Sequence, residues 1–241
     1  MNIHDFLKWF RKKEKDTKVN EDQPELRREL REVRLAFEVD EDFDKAIALA
    51  KPFLSSPDPE LRLQAKKHIA LSRFRKKEYR EASQLFRELA DGSSGAGDWF
   101  NVVTSTTLAG DIAAGEEAFK TTLECQEAAG YAQQPSVPFM RHWYACALRD
   151  QEEYGRALRQ IEELRGMYEQ LKITDDTFVY IRGVPFLSHT MDVAVDVFRG
   201  LGDSFDAVGW IERFATKLDD EGQQYLAELK SRIEDTGETA T

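Results

Sequence analysis

Histidine and cysteine are common ligands of transition metals, and this chain has four histidines and two cysteines. His142 and Cys146 are four residues apart, and on a helix that spacing places both side chains on one face. Such a pair could supply two ligands of a zinc site, which takes about four. No other histidine or cysteine is close in sequence, so we favour an incidental pair on a helix, with both thiols of the chain reduced.

The chain lacks the short motifs that mark common active sites, among them HExxH, paired CxxC and GxSxG. The stretch DGSSGAGD at 91–98 is glycine-rich, but it has neither the lysine nor the preceding strand of a phosphate-binding loop. Acidic stretches such as VDEDFD at 39–44 and TDD at 174–176 are typical of helix N-termini, where the helix dipole favours negative charge. The sequence therefore predicts a protein that is not an enzyme and that uses no cofactor or metal.

Charge and hydropathy argue against several other classes of protein. The formal net charge of the 241 residues is −11, whereas a nucleic-acid-binding protein is expected to carry a basic surface. No apolar run approaches the ~20 residues of a membrane span. The N-terminal stretch MNIHDFLKWFRKKEK lacks the apolar core of a secretory signal. We therefore expect a soluble, cytoplasmic protein that does not bind nucleic acid.

Helices must position these side chains, because apolar residues recur at i, i+3, i+4 and i+7 over long stretches and strand-like alternation is scarce. A template of Tyr79, Ala82 and Phe86 recurs along the chain. Its small residue reappears as Ala46, Ala82, Ala118 and Ala157, at steps of 36, 36 and 39 residues. A period of this size indicates stacked units that are each too small to bury their own apolar face.

A second alanine lies twelve positions before the first in two of these units, as Ala70 before Ala82 and Ala145 before Ala157. Two antiparallel helices approach closely only where their side chains are small, so each pair of alanines predicts the crossing point of a helical hairpin. The sequence thus predicts an all-α fold built of antiparallel helix pairs.

The stretches that carry this pattern best are HIALSRFRKKEYREASQLFREL at 68–89 and RHWYACALRDQEEYGRALRQIEEL at 141–164. The stretch EVRLAFEVDEDFDKAIALAKPFLSSPDP at 32–59 fits it as well. In these residues the chain resembles the tetratricopeptide repeat (TPR) family, over about residues 25–218. The resemblance implies an α-solenoid of about 10–12 helices, a right-handed superhelix with a concave face that binds peptides.

The predicted organisation has three parts. Residues 1–20 form a basic amphipathic helix, residues 21–218 form the repeat domain of about five helix pairs, and residues 219–241 form a C-terminal capping helix with a frayed tail. Residues 171–195 interrupt the repeat. They are expected to form either a short helix, a kink at Pro185 and a second helix from Phe186 to Arg199, or a longer, irregular helix pair that packs on its neighbours.

The N-terminal segment, residues 1–15, carries one apolar stripe of Ile3, Phe6, Leu7 and Phe10 among lysines and arginines. Such a helix can cap the repeat array, contact a second subunit, lie on an anionic membrane or dock in a partner's groove. We favour the cap or the subunit contact, because burying the four apolar side chains contributes up to ~8 kcal/mol before entropic costs. Oligomerisation and a membrane contact stay open at this point.

The TPR resemblance implies that the first helix of each pair lines the concave groove. The groove residues that follow from it are Arg28, Arg31, Lys67, Leu71, Phe74, Arg75, Phe100, Phe139, His142, Trp143 and Arg149. The amino-terminal half of this set is basic and its middle is aromatic, which suits a peptide with an acidic end and apolar anchors. The alternative is that the basic residues are solvated helix faces, partly paired with nearby glutamates.

These observations together predict a non-catalytic scaffold or adaptor that binds a peptide or protein segment in its concave groove. The alternative is a regulatory or sensor domain that binds a small molecule or a signal peptide in a pocket. The two hypotheses differ in what they predict: charge reversal in the groove should abolish partner capture by a scaffold, whereas a small metabolite should raise the melting temperature of a sensor.

Overall fold

The computed structural model describes residues 30–177, 183–202 and 205–234. These residues form eleven α-helices and one short 3-10 helix and contain no strand, so the predicted all-α class is confirmed for them. The chain divides into two compact units at residues 128 and 129, inside the breaker AAGYAQQPSVP. The predicted N-terminal helix at 1–20 and the groove residue Arg28 lie outside the described residues.

Unit 1 is described from Leu30 to Ala128 and consists of three successive helix pairs. The described elements are α1 (Arg31–Glu38), α2 (Phe43–Ala50), a 3-10 helix (Lys51–Ser55), α3 (Pro59–Arg75), α4 (Tyr79–Ala90), α5 (Ala96–Leu108) and α6 (Ile112–Ala128). Each helix contacts the next one along the chain, and α1 also contacts α3. The breaker SSPDP acts as predicted: Pro59 opens α3, and the Asp58 carboxylate accepts a hydrogen bond from the Glu60 amide at 2.9 Å.

Unit 2 contains α7 (Val137–Asp150), α8 (Tyr154–Leu171), α9 (Leu187–Leu201), α10 (Ala207–Ala215) and α11 (Asp220–Glu234). Helix α9 contacts both helices of the α7–α8 hairpin, and α11 contacts α9 and α10. The sequence placed the helix after Pro185 at residues 186–199 and the last helix at about 220–234, and both are confirmed. None of the helices in the described ranges combines the length and apolarity needed to cross a bilayer.

Three hairpin turns share one backbone conformation. In each turn the second residue after the end of the first helix has a positive φ. These residues are Lys77 (63°), Gly110 (86°) and Glu152 (59°). The next amide bonds back five residues, from Glu78 to Arg73, Asp111 to Thr106 and Glu153 to Leu148, at 2.9–3.0 Å. This is the bond pattern that ends helices with a left-handed residue, and it satisfies carbonyls that the helix end would leave unpaired. The repeat in the sequence is therefore also a repeat in the backbone.

The turns set the register of the small residue, which follows each positive-φ residue by five positions. That position holds Ala82 after Lys77 and Ala157 after Glu152, as the repeat template predicted. After Gly110 it holds Gly115, whereas the template chose Ala118, one helical turn later. Ala118 is also buried, because residues three apart share a helix face. Ala118 is buried as predicted, and the residue that aligns with Ala82 and Ala157 relative to the turn is Gly115, three positions earlier.

Candidate functional site

In unit 1, two side-chain contacts link the first helices of the three pairs in a row. The Phe37 ring of α1 meets the His68 ring of α3 edge to face, with centroids 6.2 Å apart. The Lys67 amine of α3 is 3.3 Å from the Asp98 carboxylate of α5. We call the accessible residues of this row, Arg31 and Arg34 on α1 with Lys67 and Leu71 on α3, the first-helix face. It contains three residues of the predicted groove, Arg31, Lys67 and Leu71, together with Arg34.

Three predicted groove residues belong to the first-helix face. Arg31 is exposed, the side chain of Lys67 keeps 35% of its surface accessible beside Asp98, and Leu71 is half-buried. Leu71 packs against the apolar cluster of Ala36, Phe37 and Ala46. Burial, and after it the positive charge of the nearby Arg34, lowers the pKa of His68 to about 4. The face is thus basic, with one apolar contact point.

Phe74 and Arg75 do not line an accessible groove, which corrects their predicted role. Phe74 is buried against the rings of Tyr79 and Phe86, with centroids 5.3 and 6.3 Å away. The Arg75 side chain is 1% exposed, and its guanidinium is 3.1 Å from the Glu41 carboxylate. It also lies over the Phe43 ring, 4.8 Å from the centroid. The charge of Arg75 is therefore used to join the first two helix pairs.

Phe100 is also a core residue, because it is 2% exposed. The whole of α5 from Val102 to Leu108 is buried, although it contains the polar run Thr104–Thr107. The hydroxyls of Thr104, Ser105 and Thr106 bond to backbone carbonyls three or four residues earlier in the same helix. A hydroxyl that donates to a backbone carbonyl of its own helix can be buried at little cost. The polar run Thr104–Thr107 therefore does not mark an exposed face of α5.

In unit 2, three of the four predicted groove residues are buried. Phe139, His142 and Trp143 are at most 6% exposed. Arg149 stays partly accessible, and it forms ion pairs with Asp150 at 2.8 Å and with Asp196 of α9 at 3.1 Å. The physical reason for the misplacement is that α7 has almost no polar face between Phe139 and Leu148, so its sequence does not show which side meets solvent.

The candidate metal pair is a neutral pair in the interior. Cys146 Sγ is 3.8 Å from His142 Nε2. Burial lowers the pKa of His142 to about 3 and raises the pKa of Cys146 to about 12. The thiol is therefore not an activated nucleophile at neutral pH. Within the described ranges, no group of three or more histidine, cysteine, aspartate or glutamate side chains is arranged to hold a metal ion.

Unit 2 also contains a cavity of about 300 Å³, which the sequence interpretation missed. Its lining is Asp175, Asp176, Leu187, Glu221, Gly222, Gln224, Tyr225 and Glu228. Asp176 accepts a hydrogen bond at 3.0 Å from the Ser188 amide in the first turn of α9. Asp176 therefore acts at a helix N-terminus, as predicted for the TDD stretch, but on a helix that begins eleven residues later. Side chains so far apart in sequence give no local signal of a cavity.

Comparison with known proteins does not identify the chain. No family model, no curated protein and no solved structure matches it.

Proposed function

We propose that the chain is a non-catalytic, TPR-like scaffold or adaptor that binds a peptide or protein segment on the first-helix face of unit 1. The observation that supports it is the row of first helices α1, α3 and α5, joined by the Phe37–His68 and Lys67–Asp98 contacts. Stacked helix pairs in a solenoid present such a row as one extended surface. A peptide can contact several helices of this surface at once.

The side chains of the first-helix face select an acidic segment. Arg31 and Arg34 supply two guanidinium groups on consecutive turns of α1, and Arg34 is only loosely paired with Glu38, at 3.8 Å. A guanidinium can bind a carboxylate through two hydrogen bonds. Lys67 can exchange its partner Asp98 for a carboxylate of the segment, and Leu71 offers an apolar contact beside it. The bound segment is therefore expected to combine carboxylates with at least one apolar side chain.

A display library of random peptides tests this proposal with a defined probe. We expect acidic peptides to be enriched on the wild type and to lose binding on the double variant Arg31→Glu, Lys67→Glu. The matched control is Arg80→Glu, Arg87→Glu, which makes the same change of net charge at exposed positions of the second helix α4. Far-UV circular dichroism checks that both variants keep their helix content. Equal peptide binding by the two double variants would refute the first-helix face as the binding site.

The alternative, a regulatory or sensor domain, is favoured by the cavity of unit 2. Its volume of about 300 Å³ is at the lower end of the range for small-molecule sites. Its carboxylates disfavour anionic ligands. A ligand that binds only the folded state raises the melting temperature, so a panel of small cations and neutral metabolites would detect it by thermal shift. A shift that disappears in Glu228→Gln and persists in Arg31→Glu, Lys67→Glu would favour the sensor over the scaffold.

A further inference from the structure

Four buried side chains of unit 2 form one continuous line of polar contacts, which we call the clasp. Its members are Cys146 and His142 on α7, Thr190 on α9 and Tyr168 on α8. The contacts are Cys146 Sγ to His142 Nε2 at 3.8 Å, His142 Nδ1 to Thr190 Oγ1 at 3.2 Å, Thr190 Oγ1 to the Tyr168 hydroxyl at 2.8 Å, and the Tyr168 hydroxyl to the Pro185 carbonyl at 3.0 Å. All four side chains are at most 2% exposed.

The direction of every hydrogen bond in the clasp follows from its last acceptor. A carbonyl oxygen only accepts, so the Tyr168 hydroxyl donates its one proton to the Pro185 carbonyl. The Tyr168 oxygen must then accept a hydrogen bond from the Thr190 hydroxyl, which has only one proton to donate. The Thr190 oxygen accordingly accepts from His142 Nδ1–H. In a neutral imidazole the other nitrogen, Nε2, carries no proton and is free to accept from the Cys146 thiol.

The clasp joins all three helices that meet around it. Thr190 is its only member on α9, and it contacts both His142 of α7 and Tyr168 of α8. The backbone before α9 is held as well, because Tyr168 binds the Pro185 carbonyl and the Ser136 hydroxyl at the start of α7 donates to the Gly183 carbonyl. Near the surface, Arg149 of α7 and Asp196 of α9 are 3.1 Å apart. Of these contacts between α9 and the hairpin, only those of the clasp are formed entirely by buried side chains.

We propose that the clasp is a one-way hydrogen-bond lock that holds α9 on the α7–α8 hairpin and keeps Cys146 out of reach of thiol reagents. Removing one hydroxyl from the clasp leaves a neighbouring buried polar group without its hydrogen bond. Such a group is destabilising, so it favours the state in which α9 has moved away from the α7–α8 hairpin. Opening of α9 exposes the Cys146 thiol. This role goes beyond peptide binding by unit 1, since it concerns residues of unit 2 alone.

Thiol labelling of the full chain with a chromogenic disulfide at mildly alkaline pH tests the proposal. Cys125, which is half-buried in unit 1, is an internal control in the same molecule, and the single variants Cys125→Ser and Cys146→Ser assign the two rates. We expect Cys146 to react much more slowly than Cys125 in the wild type. Thr190→Val and Tyr168→Phe should each accelerate the labelling of Cys146 by about tenfold and leave that of Cys125 unchanged. The exposed residue Thr177 gives the matched control, Thr177→Val, which should change neither rate.

Two results would overturn the clasp. One is an unchanged Cys146 labelling rate in both Thr190→Val and Tyr168→Phe. The other is a measurement on the wild type, and it does not depend on Thr190→Val or Tyr168→Phe folding. Nitrogen-15 NMR of His142, assigned with His142→Gln, should show a protonated Nδ1 and an unprotonated Nε2 at neutral pH. A proton on Nε2 would reverse the bond directions and refute the proposal.

Discussion

Two neighbouring hairpins of unit 1, α3–α4 and α5–α6, turn in the same way but pack differently. Both turns use a positive-φ residue followed by an amide that bonds five residues back. At the matching position of the second helix, α4 has Ala82, which is fully buried. In α6 that position is Gly115, where a Cβ atom would lie 2.2 Å from Thr107 Oγ1 of α5. The first hairpin accommodates a methyl group, and the second has no room for one.

The difference shows that the space between the two helices of a hairpin determines whether the small residue can be alanine or must be glycine. In the α5–α6 hairpin that facing surface is the β-branched Thr107, whose hydroxyl points at the Gly115 backbone. Packed interiors leave no voids, so the glycine is required by one particular neighbour and not by the repeat pattern. A repeat template that accepts any small residue cannot distinguish the two cases.

The largest effect is expected for Gly115→Ala. The new methyl group must displace Thr107, and overpacking of this kind costs up to about 3 kcal/mol. The higher helix propensity of alanine offsets about 1 kcal/mol of that cost, so we expect a net loss of about 2 kcal/mol in the free energy of unfolding. Urea denaturation followed by circular dichroism measures it. Thr107→Ala in the same chain removes the clashing atom and should restore much of the loss, as a double-mutant cycle would show.

Gly155→Ala is the matched control for that change. Gly155 is also helical, in α8, but a Cβ atom there would meet nothing within 4 Å. Alanine favours helix over glycine by about 1 kcal/mol, so Gly155→Ala should be neutral or stabilising. If Gly115→Ala were equally harmless, the α5–α6 hairpin would have room for a methyl group at Gly115, as the α3–α4 hairpin has at Ala82.

Helix boundaries could be read from the sequence because they depend on local chemistry. Proline, glycine and capping aspartates act within a few residues, and so the starts of α3 at Pro59 and of α11 at Asp220 agree with the breakers and the apolar period. Local rules could not decide whether Ala118 or Gly115 is the residue aligned with Ala82. It required the position of Thr107, which only the folded hairpin supplies.

The candidate site was predicted less well than the helices, because accessibility is a non-local property. Arg75 looked like a groove residue on α3, yet its partner Glu41 is 34 residues away in sequence. His142 and Trp143 lie on α7, which has almost no polar side to mark its solvent face. Arg31 is exposed and Lys67 is partly accessible, on helices that have further polar residues around them. Peptide binding by these residues stays a prediction.

The second largest effect is expected from a fall in pH, because only one of the two hairpins contains a histidine. The α3–α4 hairpin contains His68, whose pKa is lowered to about 4 by burial and by the charge of Arg34, whereas residues 91–128 contain no histidine. Between pH 6.5 and 4 the unfolded chain binds the proton and the folded chain does not, so the stability present above pH 6.5 is lost as the pH falls. We expect His68 to account for about 1–2 kcal/mol of that loss, less than its pKa shift implies, because the side chain is partly accessible.

Comparison of wild type with His68→Gln isolates this contribution, because the other histidines affect both proteins alike. The difference in unfolding free energy between pH 7 and pH 4.5 should be smaller in His68→Gln than in the wild type. Equal losses in the two proteins would show that His68 is protonated in the folded state as readily as in the unfolded chain.

The turns of the two hairpins allow a reciprocal exchange with a smaller effect. Gly110 ends α5 at a φ of 86°, and Lys77 ends α3 at a φ of 63°, a region that side chains disfavour. Gly110→Ala should therefore lower the free energy of unfolding by about 1 kcal/mol, and Lys77→Gly should raise it by about 0.5–1 kcal/mol. Thermal melts of both variants measure the two signs. A loss of stability in Lys77→Gly would mean that the lysine side chain stabilises the turn by other contacts.

The smallest effect concerns how the second helices begin. Asp111 Oδ1 accepts a hydrogen bond from the Ala114 amide at 3.1 Å in the first turn of α6, whereas Glu78 makes no such bond at the start of α4. Asp111→Ala should therefore cost about 0.5–1 kcal/mol, and Asp111→Asn, which keeps the acceptor, should cost less. Glu78→Ala removes only the partly exposed ion pairs with Arg73 and Lys76, at 2.8 and 2.7 Å, and should cost under ~0.5 kcal/mol. If Asp111→Asn were as damaging as Asp111→Ala, the carboxylate would act through its charge on the helix dipole, and the start of α6 would resemble that of α4.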